Sequence, residues 1–122
     1  MAGTLVANTI NTDTGVFTTN NAITGIAKAW VNYNGATQTV TGSFNISSVT
    51  YNSTGNYTLN FTTAMPNTSY ASLGTANFTS GVAWVAAPLG AGTKTTSALQ
   101  VGVIDAATYS NVTQVSIAVF SS

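Results

Sequence analysis

Apolar and polar residues alternate with a period of two along most of this chain, the mark of strands with one covered face. In NYTLNF, residues 56–61, Tyr57, Leu59 and Phe61 point one way and Asn56, Thr58 and Asn60 the other. QVSIAVF, residues 114–120, sets Val115, Ile117 and Val119 against Ser116, Ala118 and Phe120. TVTGSFNI, residues 39–46, places Val40, Phe44 and Ile46 on one face with Gly42 between them. VAWVAAPL, residues 82–89, differs: Val82, Trp84 and Ala86 alternate with Ala83, Val85 and Ala87, so both faces are apolar. A strand apolar on both faces needs a second cover, and Val82, Ala83, Trp84 and Val85 are the candidate subunit contacts. No segment repeats its apolar residues every 3.6 positions over three turns, so no helix is predicted.

Turn residues separate these runs. Asn34-Gly35, Ser53-Thr54-Gly55-Asn56, Met65-Pro66-Asn67 and Gly90-Ala91-Gly92 are the kind of punctuation that joins short antiparallel strands. Thr is the commonest residue, and with Val, Tyr and Phe it favours a pleated surface. The predicted fold is an all-β antiparallel sandwich, jelly-roll-like, over residues 26–122. Residues 1–25 are expected to form a short N-terminal arm: TLVANTI reads as one short strand, and DTGVFTTNNAITG as a polar loop. At 122 residues this is one domain with an extension. It is large enough to bury roughly two-thirds of its unfolded surface without metal or disulfide.

Charge narrows the functional classes. Lys28, Lys94, Asp13 and Asp105 are the whole charged complement, 3% of residues, and Cys, His, Glu and Arg are absent. Without a basic cluster there is no electrostatic footprint for nucleic acid. Without His, Cys or Glu there is no nucleophile–base pair, and nothing brings the two aspartates together as a glycosidase pair. The chain is therefore read as no enzyme, with no catalytic residue, cofactor or metal site. No apolar run reaches the length of a membrane helix. The opening residues MAGTLVANTI lack the basic and apolar blocks of a secretory signal, so synthesis and assembly in a cytoplasm are expected. A surface with so little charge is poorly protected against association, which points to an assembly.

Neutral hydrogen-bonding groups and aromatic rings remain, and these suit carbohydrate. Trp30 lies in the alternating run Ile26, Lys28, Trp30, Asn32, and that spacing assigns it to packing or a subunit contact ahead of a sugar platform. Loops on a rigid scaffold more often carry recognition. LGAGTKTTS (residues 89–97) and DAATYSNVT (residues 105–113) therefore supply the candidate receptor contacts Lys94, Asp105, Tyr109 and Asn111. The Asn-X-Ser/Thr sequons at Asn45, Asn52, Asn56, Asn60, Asn67, Asn77 and Asn111 follow from a composition rich in Asn, Ser and Thr.

The block AKAWVNYNGATQTVTGSFNISSVTYNSTGNYTLNFTTAMPNTSYA, residues 27–71, resembles a module of bacteriophage tail-fibre and related virion proteins, many of them marine. The shared pattern falls on Lys28 to Gly35, Ser43 to Val49, Gly55 to Thr58, Phe61-Thr62 and Tyr70. The resemblance implies a virion structural protein whose partners are other phage virion proteins and further copies of itself, as a homotrimer in keeping with three-fold fibres. It implies a fibre or fibre-tip role in host attachment, with a host surface glycan as the candidate receptor. Family members carry the module at the end of a long chain, whereas about 25 residues precede it here, so a separate small subunit docked on a fibre, tail or capsid is expected. A capsid decoration protein is the alternative, and a cellular adhesin or surface-layer domain a third.

Overall fold

The computed structural model describes residues 3–4, 6–12, 15–18, 23–77, 83–88, 94–105 and 108–122, with the backbone alone at residues 10–12, 15–18, 83–88 and 105. It is an all-β domain, 59% strand and 3% helix, as the alternation predicts. The strands are β1 (Thr9–Thr12), β2 (Gly15–Thr18), β3 (Ala29–Asn34), β4 (Thr39–Phe44), β5 (Ile46–Ser53) and β6 (Asn56–Phe61). They continue with β7 (Ala71–Asn77), β8 (Ala83–Pro88), β9 (Ala98–Asp105), β10 (Thr108–Tyr109) and β11 (Gln114–Phe120).

All pairings are antiparallel. β1 and β2 form a separate two-stranded sheet, so part of the segment read as a polar loop is a strand. The others form one sheet in the order β4-β3-β11-β7-β8-β9-β6-β5, with β10 paired to β9.

This sheet is curled onto itself. Five strand spacings separate β3 from β6, which would put them about 24 Å apart in a flat sheet. Yet the rings of Tyr33 on β3 and Tyr57 on β6 meet edge to face at 5.0 Å. Two corners make the fold-over. β8 begins on β7, pairing Ala83 with Asn77 and Trp84 with Ala76, then continues on β9 from Val85 to Pro88. A strand that changes partners in this way turns a sheet through an angle.

The second corner is Asn45, between β4 and β5, with φ at 55°. Asn tolerates this left-handed conformation better than most residues, and here its side chain secures the bend. Asn45 Nδ2 donates to the carbonyls of Lys28 and Thr63 at 3.0 Å each. Its Oδ1 accepts from the Thr63 amide at 2.7 Å, and its carbonyl accepts from the Thr62 amide at 3.2 Å.

The core lies between the two halves. Ala29, Val31 and Tyr33 of β3 and Val115, Ile117 and Val119 of β11 face Tyr57, Leu59 and Phe61 of β6 and Leu99, Val101 and Val103 of β9. Met65, Tyr70 and Val112 close it from the connections. The inward sets of β6 and β11 are those the alternation predicts. The shared face read for Val40, Phe44 and Ile46 is not kept. Phe44 is 56% exposed and Val40 44% exposed, while Ile46 packs against the core. The positive φ of Asn45 breaks the phase between Phe44 and Ile46, so two residues expected to share a face lie on opposite sides of a corner.

Candidate functional site

Inward Ala29, Val31 and Tyr33 force Trp30 and Asn32 outward, since neighbouring side chains on a strand take opposite faces. The register carries that face across four strands. Trp30 pairs with Phe44 on β4 and with Ala118 on β11, and Ala118 pairs with Leu73 on β7. Leu73, Ala118, Trp30 and Phe44 thus form one row on the outside of the sandwich. Leu73 is 64% and Trp30 39% exposed, so Trp30 is a surface ring, which sets aside the core-packing half of the reading from its spacing and leaves the subunit contact. The next row is polar: Thr75 and Asn32 flank Ser116, and Gly42 pairs with Asn32.

Small residues shape this face. A Cβ added to Gly42 would meet the edge of the Trp30 six-membered ring at 3.4 Å, so the absence of a side chain at Gly42 gives the indole room. Ala118 leaves a trough of about 350 Å³ between Trp30 and Leu73, also lined by Asn32, Gly74, Thr75 and Ser116. Ser116 Oγ donates to Asn32 Oδ1 at 2.9 Å. A second groove of about 620 Å³ opens beyond Phe44, lined by Ile26, Lys28, Asn45 and the segment from Thr62 to Pro66. Lys28 Nζ on its rim donates to the Ile23 carbonyl.

The four candidate receptor contacts do not converge. Lys94 forms a bridge with Leu99 near the start of β9, whereas Tyr109 pairs with Ile104 near its end. Five residues of extended chain separate these places by about 17 Å. Lys94 Nζ donates to the Tyr70 carbonyl at 2.5 Å and sits 4.5 Å from the centre of the Tyr70 ring, a hydrogen bond joined by a cation–π contact. Tyr109 is 44% exposed on β10. Asp105 pairs with Thr108 through the backbone, and its side chain lies outside the described residues.

Asn111 is structural. Its Oδ1 accepts from the Gly55 amide and from the Tyr57 hydroxyl, each at 2.8 Å. Gly55 needs this support because it turns at φ 65° with the Ser110 amide 2.6 Å from where a Cβ would sit. Burial pushes the Tyr57 hydroxyl up to about 12, with help from the nearby Tyr33 and Tyr51 hydroxyls. Tyr51 shifts the other way, lowered by hydrogen bonds from Asn111 and then Thr54 against the effect of burial. The Tyr33 hydroxyl is buried without a hydrogen-bond partner among the described residues, and burial raises its pKa. Of the candidate subunit contacts, Val82 lies outside the described residues. Ala83, Trp84 and Val85 are described as backbone within β8, and their side chains lie outside.

Fold and face together define a sandwich-like all-β domain whose outer sheet surface is apolar in one row and neutral-polar in the next. No protein-family model, curated protein or solved structure matches this chain.

Proposed function

We propose that the protein is a structural subunit of a bacteriophage virion, a fibre or fibre-tip component that takes part in host attachment and works as a homo-oligomer of three copies. The observation that carries this reading is the exposed apolar surface on one side of the sandwich. Ile26 is 61% and Phe44 56% exposed at the second groove, next to Trp30 and Leu73, in a chain with only two lysines and two aspartates. Clustered exposed apolar groups mark contact surfaces, and a nearly uncharged molecule gains most from covering them. The module resemblance at residues 27–71 supplies the phage context, and the groove beyond Phe44 is the assigned subunit contact.

Capsid decoration is the second reading. The internal engagement of Lys94 and Asn111 favours it, because a decoration protein needs no receptor site. Immunogold labelling of purified virions with an antibody to this chain tests both. Label on fibres or the tail tip supports attachment, and label over the head supports decoration. Washed particles devoid of the chain would overturn the virion reading altogether.

A further inference from the structure

We infer that the trough between Trp30 and Leu73 is a binding site for a neutral saccharide, a deepening that rests on the attachment reading above. One edge of the Trp30 six-membered ring meets Gly42 and the residue is 39% exposed, which leaves flat apolar ring surface open to solvent. The C–H face of a pyranose stacks on such a ring, and its hydroxyls need hydrogen-bond partners at the ring's edge. One row along, those partners are present. Asn32 Oδ1 accepts from Ser116 Oγ, which leaves Asn32 Nδ2 as a donor, while Ser116 Oγ accepts from Gln114 Nε2 at 3.4 Å and keeps one further lone pair. Thr75, across Ser116 from Asn32, adds a hydroxyl.

Adjacent rows on one strand face are about 7 Å apart, and Trp30 and Leu73 stand two strand spacings apart, about 10 Å. Those dimensions suit one sugar ring and its substituents. The trough volume of about 350 Å³ lies within the range of small-molecule sites. Its lining holds no charged residue. Lys28 lines the other groove, where it donates to the Ile23 carbonyl, and is no part of this trough. A sialylated or sulfated glycan would find no counter-charge there, so the ligand class is neutral.

The test titrates cellohexaose, maltohexaose and mannohexaose into the full chain by calorimetry, with sedimentation velocity in parallel. Saturable binding of at least one is expected, at least about tenfold weaker in Trp30→Ala and unchanged in Ser53→Ala, an exposed change away from the trough. Should Trp30→Ala fail to fold, Thr75→Arg blocks the polar side of the trough and is expected to cause the same loss. The inference is overturned if the wild type binds none of the three at millimolar concentration, or if both trough variants bind as well as the wild type. Loss of self-association in Trp30→Ala without saccharide binding by the wild type would likewise overturn it, making the trough a subunit contact while the virion reading stands. Conversely, Trp30-dependent binding by a chain missing from washed virions would sustain the site and end the virion reading.

Discussion

Asn111→Ala separates a structural role for this side chain from a receptor role. The change removes the acceptor shared by the Gly55 amide and the Tyr57 hydroxyl. Both donors belong to buried residues, and Tyr57 is 0% exposed. A buried donor without a partner costs about 1–3 kcal/mol, so two cost about 2–6 kcal/mol, less whatever an entering water restores. Tyr57→Phe removes one hydroxyl and leaves Asn111 bonded to Gly55, at a cost of about 0.5–1.5 kcal/mol. The order is the sharper claim: Asn111→Ala should cost clearly more than Tyr57→Phe. Against a total stability of about 5–15 kcal/mol, the loss should be large. In urea denaturation at one fixed protein concentration, 3 kcal/mol lowers the midpoint by about 1–3 M. An Asn111→Ala protein within about 1 kcal/mol of wild type would refute the reasoning, as would a Tyr57→Phe protein that loses as much. The first result would return Asn111 to the surface contacts read from its loop.

At the other corner, Asn45→Ala should cost about 4–5 kcal/mol, from three side-chain hydrogen bonds at about 1 kcal/mol each and a left-handed backbone penalty of about 1–2 kcal/mol. Asn45→Gly should recover the backbone part only, and equal stabilities for the two variants by denaturant midpoint would count against this account. Stability should also fall with pH on the alkaline side. The Tyr57 hydroxyl titrates at about 12 in the fold against an ordinary 10.0, so above pH 10 the unfolded chain holds fewer protons than the folded one. Its contribution is complete below about pH 10 and is lost at about 1.4 kcal/mol per unit toward pH 12. The raised Tyr33 and Tyr70 act in the same direction. Unfolding midpoints that stay level from pH 10 to 12 would contradict it.

Local pattern revealed the strand class because alternation is a one-dimensional signal that any half-covered strand must carry. Tyr57, Leu59 and Phe61, and Val115, Ile117 and Val119, are buried as their spacing requires. The Asn34-Gly35 turn was equally legible, and its reason is local: Asn34 Oδ1 accepts from the amides of Ala36 and Thr37, both at 3.0 Å. The scarcity of charge, readable from composition alone, set the expectation that the chain neither binds nucleic acid nor acts as an enzyme.

Alternation defines two faces of a strand but cannot say which one another layer will cover. For Trp30 and Phe44 that choice was made by strand order and curl, which put β3 and β4 at one end of the sheet with their apolar row outside. Asn45 then inverted the phase at a corner where local pattern reads straight through. Lys94 and Asn111 look like free loop residues in sequence. Lys94 is bonded to the Tyr70 carbonyl 24 positions away, and Asn111 to Gly55 and Tyr57 at separations of 56 and 54. Such partners meet only after the sheet has curled, so the difference between a surface contact and an internal brace was settled by long-range strand pairing.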